Sequence, residues 1–230
     1  MVIPVQDGFI FLIDKFPEWT SFDVVAKIRN TMKNTKVGHA GTLDPLATGL
    51  VMVCTGKATK QIDGLMAGNK EYTGSFYLGA TTPSYDMETE PNAHFPIDHI
   101  TDAQIYGLAA SMVGSQEQFP PMFSAIKVNG KKLYDLARKG QEIERKARHI
   151  EIFEFEITGI ALPVVHFRVV VTKGTYIRSL AYDFGRALSS GAYLASLRRT
   201  RSGEYHVDQA FTIPQWIDWW KNRPLPESTP

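Results

Sequence analysis

The sequence predicts an α+β fold: a single catalytic-sized domain on a mixed, largely antiparallel sheet with flanking helices and a basic insertion. Three observations carry this. Residues 150–160 (IEIFEFEITGI) and 164–172 (VVHFRVVVT) alternate at period 2 and meet around Pro163, the pattern of a hairpin. Strand pairs joined by short turns outnumber strand–helix–strand alternation, which argues against a doubly wound parallel sheet. No repeat, linker or low-complexity seam divides the 230 residues, and Gly and Pro together number only 31 (18 and 13). One domain over 1–230 is therefore expected, with 121–148 as a projecting insertion and 214–230 as a short C-terminal tail.

The elements follow in order. Residues 9–13 read as a buried strand, and 20–32 (TSFDVVAKIRNTM) as a helix capped by Thr20 or Ser21, with Asp23 in its first turn. A short apolar strand at 50–54 precedes a helix expected over 57–66. Residues 71–79 are aromatic and β-rich, and 101–113 form a helix capped by Thr101. After the hairpin, a helix over 176–188 starts just beyond Gly174; strands near 193–207 and a Trp-rich helix at 214–221 complete the chain.

Charge and cysteine content exclude several classes. The lone Cys54 lies in an apolar run, so neither an internal disulfide nor a Cys-based zinc site is possible. Asp7 and Asp14 interrupt the N-terminal apolar stretch, which lacks a cationic leader, and no run reaches the roughly 18 apolar residues of a membrane span. A cytoplasmic soluble protein with no membrane association is expected. The net charge of +1 conceals segregation: 71–126 carries seven acids and no Lys or Arg, whereas 127–148 carries eight cations against three anions. Such a run is either a solvated face or a contact for a polyanion.

Asp44 is the only acid between Asp23 and Asp63, in GHAGTLDPLATGL (38–50) among six cations. Asp followed by Pro is a common pair at a helix start, which gives a purely structural reading. The chemical reading is a lone carboxylate nucleophile or base. No second carboxylate is near in sequence, unlike the pair a glycoside hydrolase uses.

Four segments sharpen this: GHAGTLDPLATGLVMVCTGKATK (38–60), KEYTGSFYLG (70–79), PPMFSAIKVNGKKLYDLARKG (120–140) and VTKGTYIRSLAYDFG (171–185). In this order they resemble the TruB family of bacterial tRNA pseudouridine-55 synthases, over about residues 8–213. The resemblance implies an α+β pseudouridine synthase domain, an isomerase that needs no metal and no organic cofactor and acts on a uridine flipped out of the T-loop of tRNA. It makes Asp44 the catalytic aspartate, Tyr72 the tyrosine that stacks on the base, and Arg178 the arginine that pairs with the aspartate. His39, Lys60, Tyr176 and Leu197 then fall around the bound uridine. Lys127, Lys131, Lys132, Arg138, Lys139, Arg198 and Arg199 become candidate contacts for RNA phosphate. Each residue also has an ordinary alternative as core aromatic, surface cation or turn residue; the joint presence of Asp44, Tyr72 and Arg178 in matching contexts favours chemistry.

The sequence departs from the family pattern at Asp14–Ser21, where a Pro is displaced and a Gly lost, and at Thr82-Pro83-Ser84-Tyr85-Asp86. The resemblance also implies a C-terminal PUA domain in most bacterial members, for which the residues after 213 are too few. Recognition is then expected from the catalytic domain acting as a monomer on the T-arm stem-loop. Two other readings stay open: a catalytically silent tRNA-binding or folding factor, and a synthase guided to other RNAs.

Overall fold

The computed structural model describes residues 1–33, 35–124, 127–128, 130–138, 140–141 and 143–223, with only the backbone of Lys127, Val128, Lys131, Lys132 and Asp135. Lys139 and residues 224–230 of the expected tail lie outside the described residues. The chain forms two compact units, Met1–Gly68 with Arg198–Pro230, and Asn69–Leu197.

The first unit begins with β1 (Val2–Val5), β2 (Gly8–Lys15), α1 (Ser21–Met32), β3 (Val37–Ala40), β4 (Thr48–Thr55) and α2 (Ile62–Ala67). β2 runs antiparallel to both β1 and β4, and β3 pairs antiparallel with β4. Ile10–Ile13 and Leu50–Cys54 are all buried, so these strands read as continuous apolar runs rather than alternating ones. α1 starts as its sequence dictates. The Thr20 side chain accepts from the Asp23 backbone N–H, and the Asp23 carboxylate accepts from the Thr20 N–H at 2.8 Å. The helix expected over 57–66 is in two pieces, a 3-10 turn at Gly56–Gln61 followed by the one-and-a-half turns of α2.

The second unit contains β5 (Lys70–Leu78), β6 (Ala80–Thr81), β7 (Ala93–His94), α3 (Asp102–Ser111), β8 (Gly114–Gln118), β9 (Lys127–Val128), β10 (Lys131–Lys132), α4 (Leu133–Ala137), β11 (Arg148–Ala161), β12 (Val164–Val171) and α5 (Ile177–Ala187). β11 and β12 form the expected hairpin; β12 pairs with β5 and β11 with β8, all antiparallel. Phe76, Phe155, Phe167 and Phe184 make an aromatic core, with Phe76 stacked on Phe167 at 4.3 Å.

β13 (Ala192–Ser202) gives its first half to the second unit beside β5 and its second half to the first. There Arg198 and Arg199 pair in parallel with Thr48 and Gly49 of β4, which pairs antiparallel with β2 and β3. β14 (Tyr205–His206) and α6 (Ile213–Asn222) follow, and Trp216 of α6 packs edge-on against Phe11 at 5.3 Å. Two glycines are required by close approach. A Cβ on Gly74 would lie 2.2 Å from the Ser196 carbonyl, and Gly49 combines φ +100° with a Cβ position 2.3 Å from the Arg199 carbonyl.

Candidate active site

Asp44 stands in the first unit on the connection from β3 to β4. No helix begins there, so capping is not its task. Instead Asp44-Pro45-Leu46-Ala47 is a turn closed by the Ala47 N–H donating to the Asp44 carbonyl at 3.1 Å, with Pro at the position that suits its fixed φ. The surrounding backbone is held carbonyl by carbonyl. Arg199 donates to Gly41 at 3.1 Å and to Thr42 at 3.5 Å, and anchors itself on Leu50 at 2.7 Å. The Ser21 hydroxyl donates to Leu43 at 3.4 Å while accepting from the Leu43 N–H at 2.9 Å. Lys15 donates to Pro45 at 3.0 Å, and to Phe16 and Trp19 at 2.9 and 2.6 Å. The five successive carbonyls from Gly41 to Pro45 are thus all engaged.

The cations doing this are buried. Lys15 is 1% and Arg199 2% exposed. Burial pushes the Lys15 ammonium down to about 8, against the attraction of Asp44 and with the repulsion of Arg199. This overturns the expectation for Arg199: its guanidinium faces loop carbonyls, not solvent, and is not placed to meet phosphate. Arg198, its neighbour on β13, points the other way. It makes a two-point ion pair with Asp14 at 2.7 and 3.0 Å, leaving its side chain 39% exposed.

His39, on β3, is half-buried; its Nδ1 has no hydrogen-bond partner among the described residues, and burial lowers its pKa. Burial thus favours the neutral ring. Lys60 is exposed at the end of the 3-10 turn.

In the second unit Arg178 opens α5, at 4% exposure. It donates to the Phe123 carbonyl at 2.9 Å and the Ser84 carbonyl at 3.2 Å, and its Nε lies 3.6 Å from an Asp86 carboxylate oxygen, an ion pair rather than a hydrogen bond. Asp86 is itself fixed: its other oxygen accepts from the Glu88 N–H at 2.9 Å, and its carbonyl accepts from Thr82 and Ser84. Tyr72 is buried at 8% exposure in the middle of β5, opposite Val169. Tyr176 is the residue before α5. The Gln118 side chain accepts from its N–H at 2.8 Å and donates to its carbonyl at 3.0 Å, which substitutes for a side-chain cap. Leu197 is half-buried on β13.

Of the basic insertion, Arg138 is exposed, lies over the Tyr134 ring at 4.5 Å, and faces Glu88 at 3.7 Å. Lys127, Lys131 and Lys132 lie on the β9–β10 ribbon. Sequence reasoning missed Lys15, Ser21, Asp86 and Gln118. Lys15, Ser21 and Asp86 carried a signal, as members of the two segments, Asp14–Ser21 and Thr82–Asp86, where the family pattern was altered; Gln118 carried none.

Comparison with known proteins places the chain in a family. Residues 29–177 match the TruB family pseudouridylate synthase N-terminal domain, and 178–228 match the tRNA pseudouridylate synthase B C-terminal domain. The tRNA pseudouridine synthase B of Flavobacterium johnsoniae is 53% identical over 214 residues, 90% of this chain and 93% of that protein. The one from Chloroherpeton thalassium is 53% identical over 217 residues, 92% and 90% of the two chains. Among solved structures, a Cbf5–Nop10–Gar1 complex superposes with TM-score 0.75 at 31% identity, covering 96% of this chain and 58% of that one. An H/ACA RNP bound to a substrate RNA containing 2′-deoxyuridine gives 0.71 at 29%, covering 97% and 57%. With its matching segments, its α+β fold and two family domains spanning residues 29–228, the chain belongs to the TruB family of pseudouridylate synthases, which are isomerases.

Proposed function

We propose that this protein converts the uridine at position 55 in the T-loop of tRNA to pseudouridine, with Asp44 as the catalytic carboxylate. The carrying observation is the Asp44 loop, whose five engaged carbonyls from Gly41 to Pro45 fix the backbone from which the carboxylate projects. A group held this rigidly loses little on reaching its reactive geometry. The named relatives support tRNA as the substrate.

The reaction breaks the N1–C1′ glycosidic bond, turns the base, joins C5 to C1′ and releases the C5 proton. Asp44 can attack C1′, attack the base, or take the proton from C2′, and one carboxylate serves each route. Tyr72 offers a flat face to the extruded base and helps move its proton. Arg178, oriented by Asp86, keeps the catalytic carboxylate ionised during turnover. His39, Lys60, Tyr176 and Leu197 surround the uridine, and Lys127, Lys131, Lys132, Arg138, Lys139 and Arg198 meet phosphates. For Arg198 this means exchanging Asp14 for RNA.

The test uses wild type and Asp44→Asn with unmodified tRNA and with an isolated T-arm stem-loop. Wild type should form pseudouridine at the T-loop position in both RNAs, within about tenfold in kcat/KM. Asp44→Asn should bind tRNA within about threefold and form none, because it keeps size but loses the charge. Turnover by the Asn variant would remove Asp44 from its role, and tRNA binding by wild type with no product would favour a silent binder.

A further inference from the structure

α5 carries Arg178 and Tyr182 one turn apart, so both side chains lie on one face of the helix. Residues Ser84–Asp86 meet that face in matching order. Ser84 and Asp86 engage Arg178, and the residue between them, Tyr85, stacks on Tyr182 with ring centroids 4.2 Å apart and planes within 15°. Tyr85 is a bulky residue at φ +64°, a left-handed conformation that an aromatic side chain adopts only when its surroundings enforce it.

Three contacts do the enforcing. The Tyr85 N–H donates to Thr82 at 3.1 Å, its carbonyl accepts from the Leu194 N–H at 2.9 Å, and its hydroxyl is hydrogen-bonded to Arg145. Both rings are half-buried and line a cavity of about 550 Å³ together with Phe123 and Arg145. Beside these three hydrogen bonds, the stack on Tyr182 is the contact made by the face of the Tyr85 ring. Phe123 and Arg145 both come from the 121–148 insertion, and the Phe123 carbonyl is also an acceptor for Arg178.

We infer that Tyr182 and Tyr85 are positioning residues for Arg178: the ring stack locks the strained Tyr85 backbone, which sets the Ser84 carbonyl and the Asp86 carboxylate that aim the guanidinium. The inference rests on the reading of Arg178 as a catalytic residue given above. Tyr182 has a ring to stack and no assigned part in holding RNA, so its contribution should reach the reaction through Arg178 alone.

The test is single-turnover pseudouridine formation on full-length unmodified tRNA at saturating enzyme, with tRNA affinity measured separately. Tyr182→Ala should slow the reaction about tenfold or more while changing affinity less than about threefold, and Tyr182→Phe, which keeps the ring, should stay within about twofold of wild type. In an Arg178→Lys background, Tyr182→Ala should cost less than about twofold more, because the group it positions is already gone. If Tyr182→Ala does not fold, Tyr182→Leu, which fills similar volume without a flat face, takes its place with the same expectations. A wild-type rate for the non-aromatic variant, or the same fold loss in both backgrounds, overturns the inference. An Arg178→Lys enzyme with wild-type rate instead sinks the catalytic reading of Arg178, a different result from a slow Arg178→Lys beside a fast Tyr182→Ala.

Discussion

The Asp44 loop and the Arg178 cradle hold opposite charges by inverted means. Around Asp44, buried cations from β2 and β13 and a hydroxyl from α1 grip the backbone of the loop that carries the acid. Around Arg178 the charged side chain is itself the gripped object, held by two carbonyls and a carboxylate. The holders differ too. Lys15, Ser21 and Arg199 belong to regular elements of the framework, whereas Phe123 belongs to the basic insertion and Ser84 and Asp86 to an irregular segment. The first arrangement is set once the unit folds. The second takes part of its geometry from the segment proposed to meet RNA.

The sharpest way to break this contrast is Lys15→Met. It preserves stem packing but leaves the Phe16, Trp19 and Pro45 carbonyls without their donor, at a cost of about 3 kcal/mol in unfolding free energy. Pseudouridine formation should fall at least about a hundredfold in kcat/KM, because a loop displacement near 1 Å is enough to do so. Urea unfolding and steady-state rates read both effects; normal stability with normal rate would show that the clamp is ornamental.

Asp86→Asn probes the other side. It keeps the shape and the acceptor for the Glu88 N–H but removes the charge facing Arg178. The expected loss is about tenfold in kcat with KM nearly unchanged, and about 1–2 kcal/mol in stability, less than for Lys15→Met because Arg178 keeps its two carbonyls. Equal losses in the two variants would erase the distinction between them.

Neutralising Lys131, Lys132, Arg138 and Lys139 together should lower tRNA affinity and flatten the dependence of log K on log salt, by up to about 0.7–0.9 for each phosphate no longer neutralised. An unchanged slope with unchanged affinity would mark the segment as a solvated face.

The smallest effect is a pH dependence. Lys15 has a folded pKa of about 8 against 10.5 for an ordinary lysine. Between these values the unfolded chain binds more protons than the folded one, so the Lys15 contribution to stability rises with pH across this window and is lost as pH falls through 8. Relative to Lys15→Met, wild type should gain about 1 kcal/mol between pH 7 and pH 9 in urea unfolding; a difference that is flat with pH would mean the ammonium is not penalised by burial.

Much of the fold and site was legible in the residues alone. Period-2 alternation marked β11 and β12, and Thr20 with Asp23 marked the start of α1. The residues expected to react were readable from their motifs. What escaped is what tertiary burial decides. Lys15 and Arg199 look like surface cations in a string of letters, and both are core residues. One elementary cue was available for the second: adjacent residues of a strand face opposite ways, so Arg198 and Arg199 could not both clamp the same backbone. β8, with the sequence GSQEQ, has no apolar alternation to reveal it, yet it delivers Gln118 to the start of α5. Asp86 was visible only as part of an altered motif, and its partnership with Arg178 spans 92 positions of chain that spacing cannot bridge.

The engaged carbonyls of the Asp44 loop also determine which kinds of sequence change the loop can absorb. Thr42, Pro45 and Leu46 are exposed or half-exposed, so the side chains at Thr42 and Leu46 can be exchanged without disturbing a main-chain acceptor. Length is another matter. Adding or deleting one residue between Gly41 and Ala47 would slide the carbonyls past Arg199, Ser21 and Lys15, whose donors are fixed in the framework, and no local rotation could restore all of the pairings at once. Surface loops ordinarily accept insertions more readily than strands do. Here the ordinary rule is reversed: the letters at the loop's outer positions are free to drift, and their number is frozen.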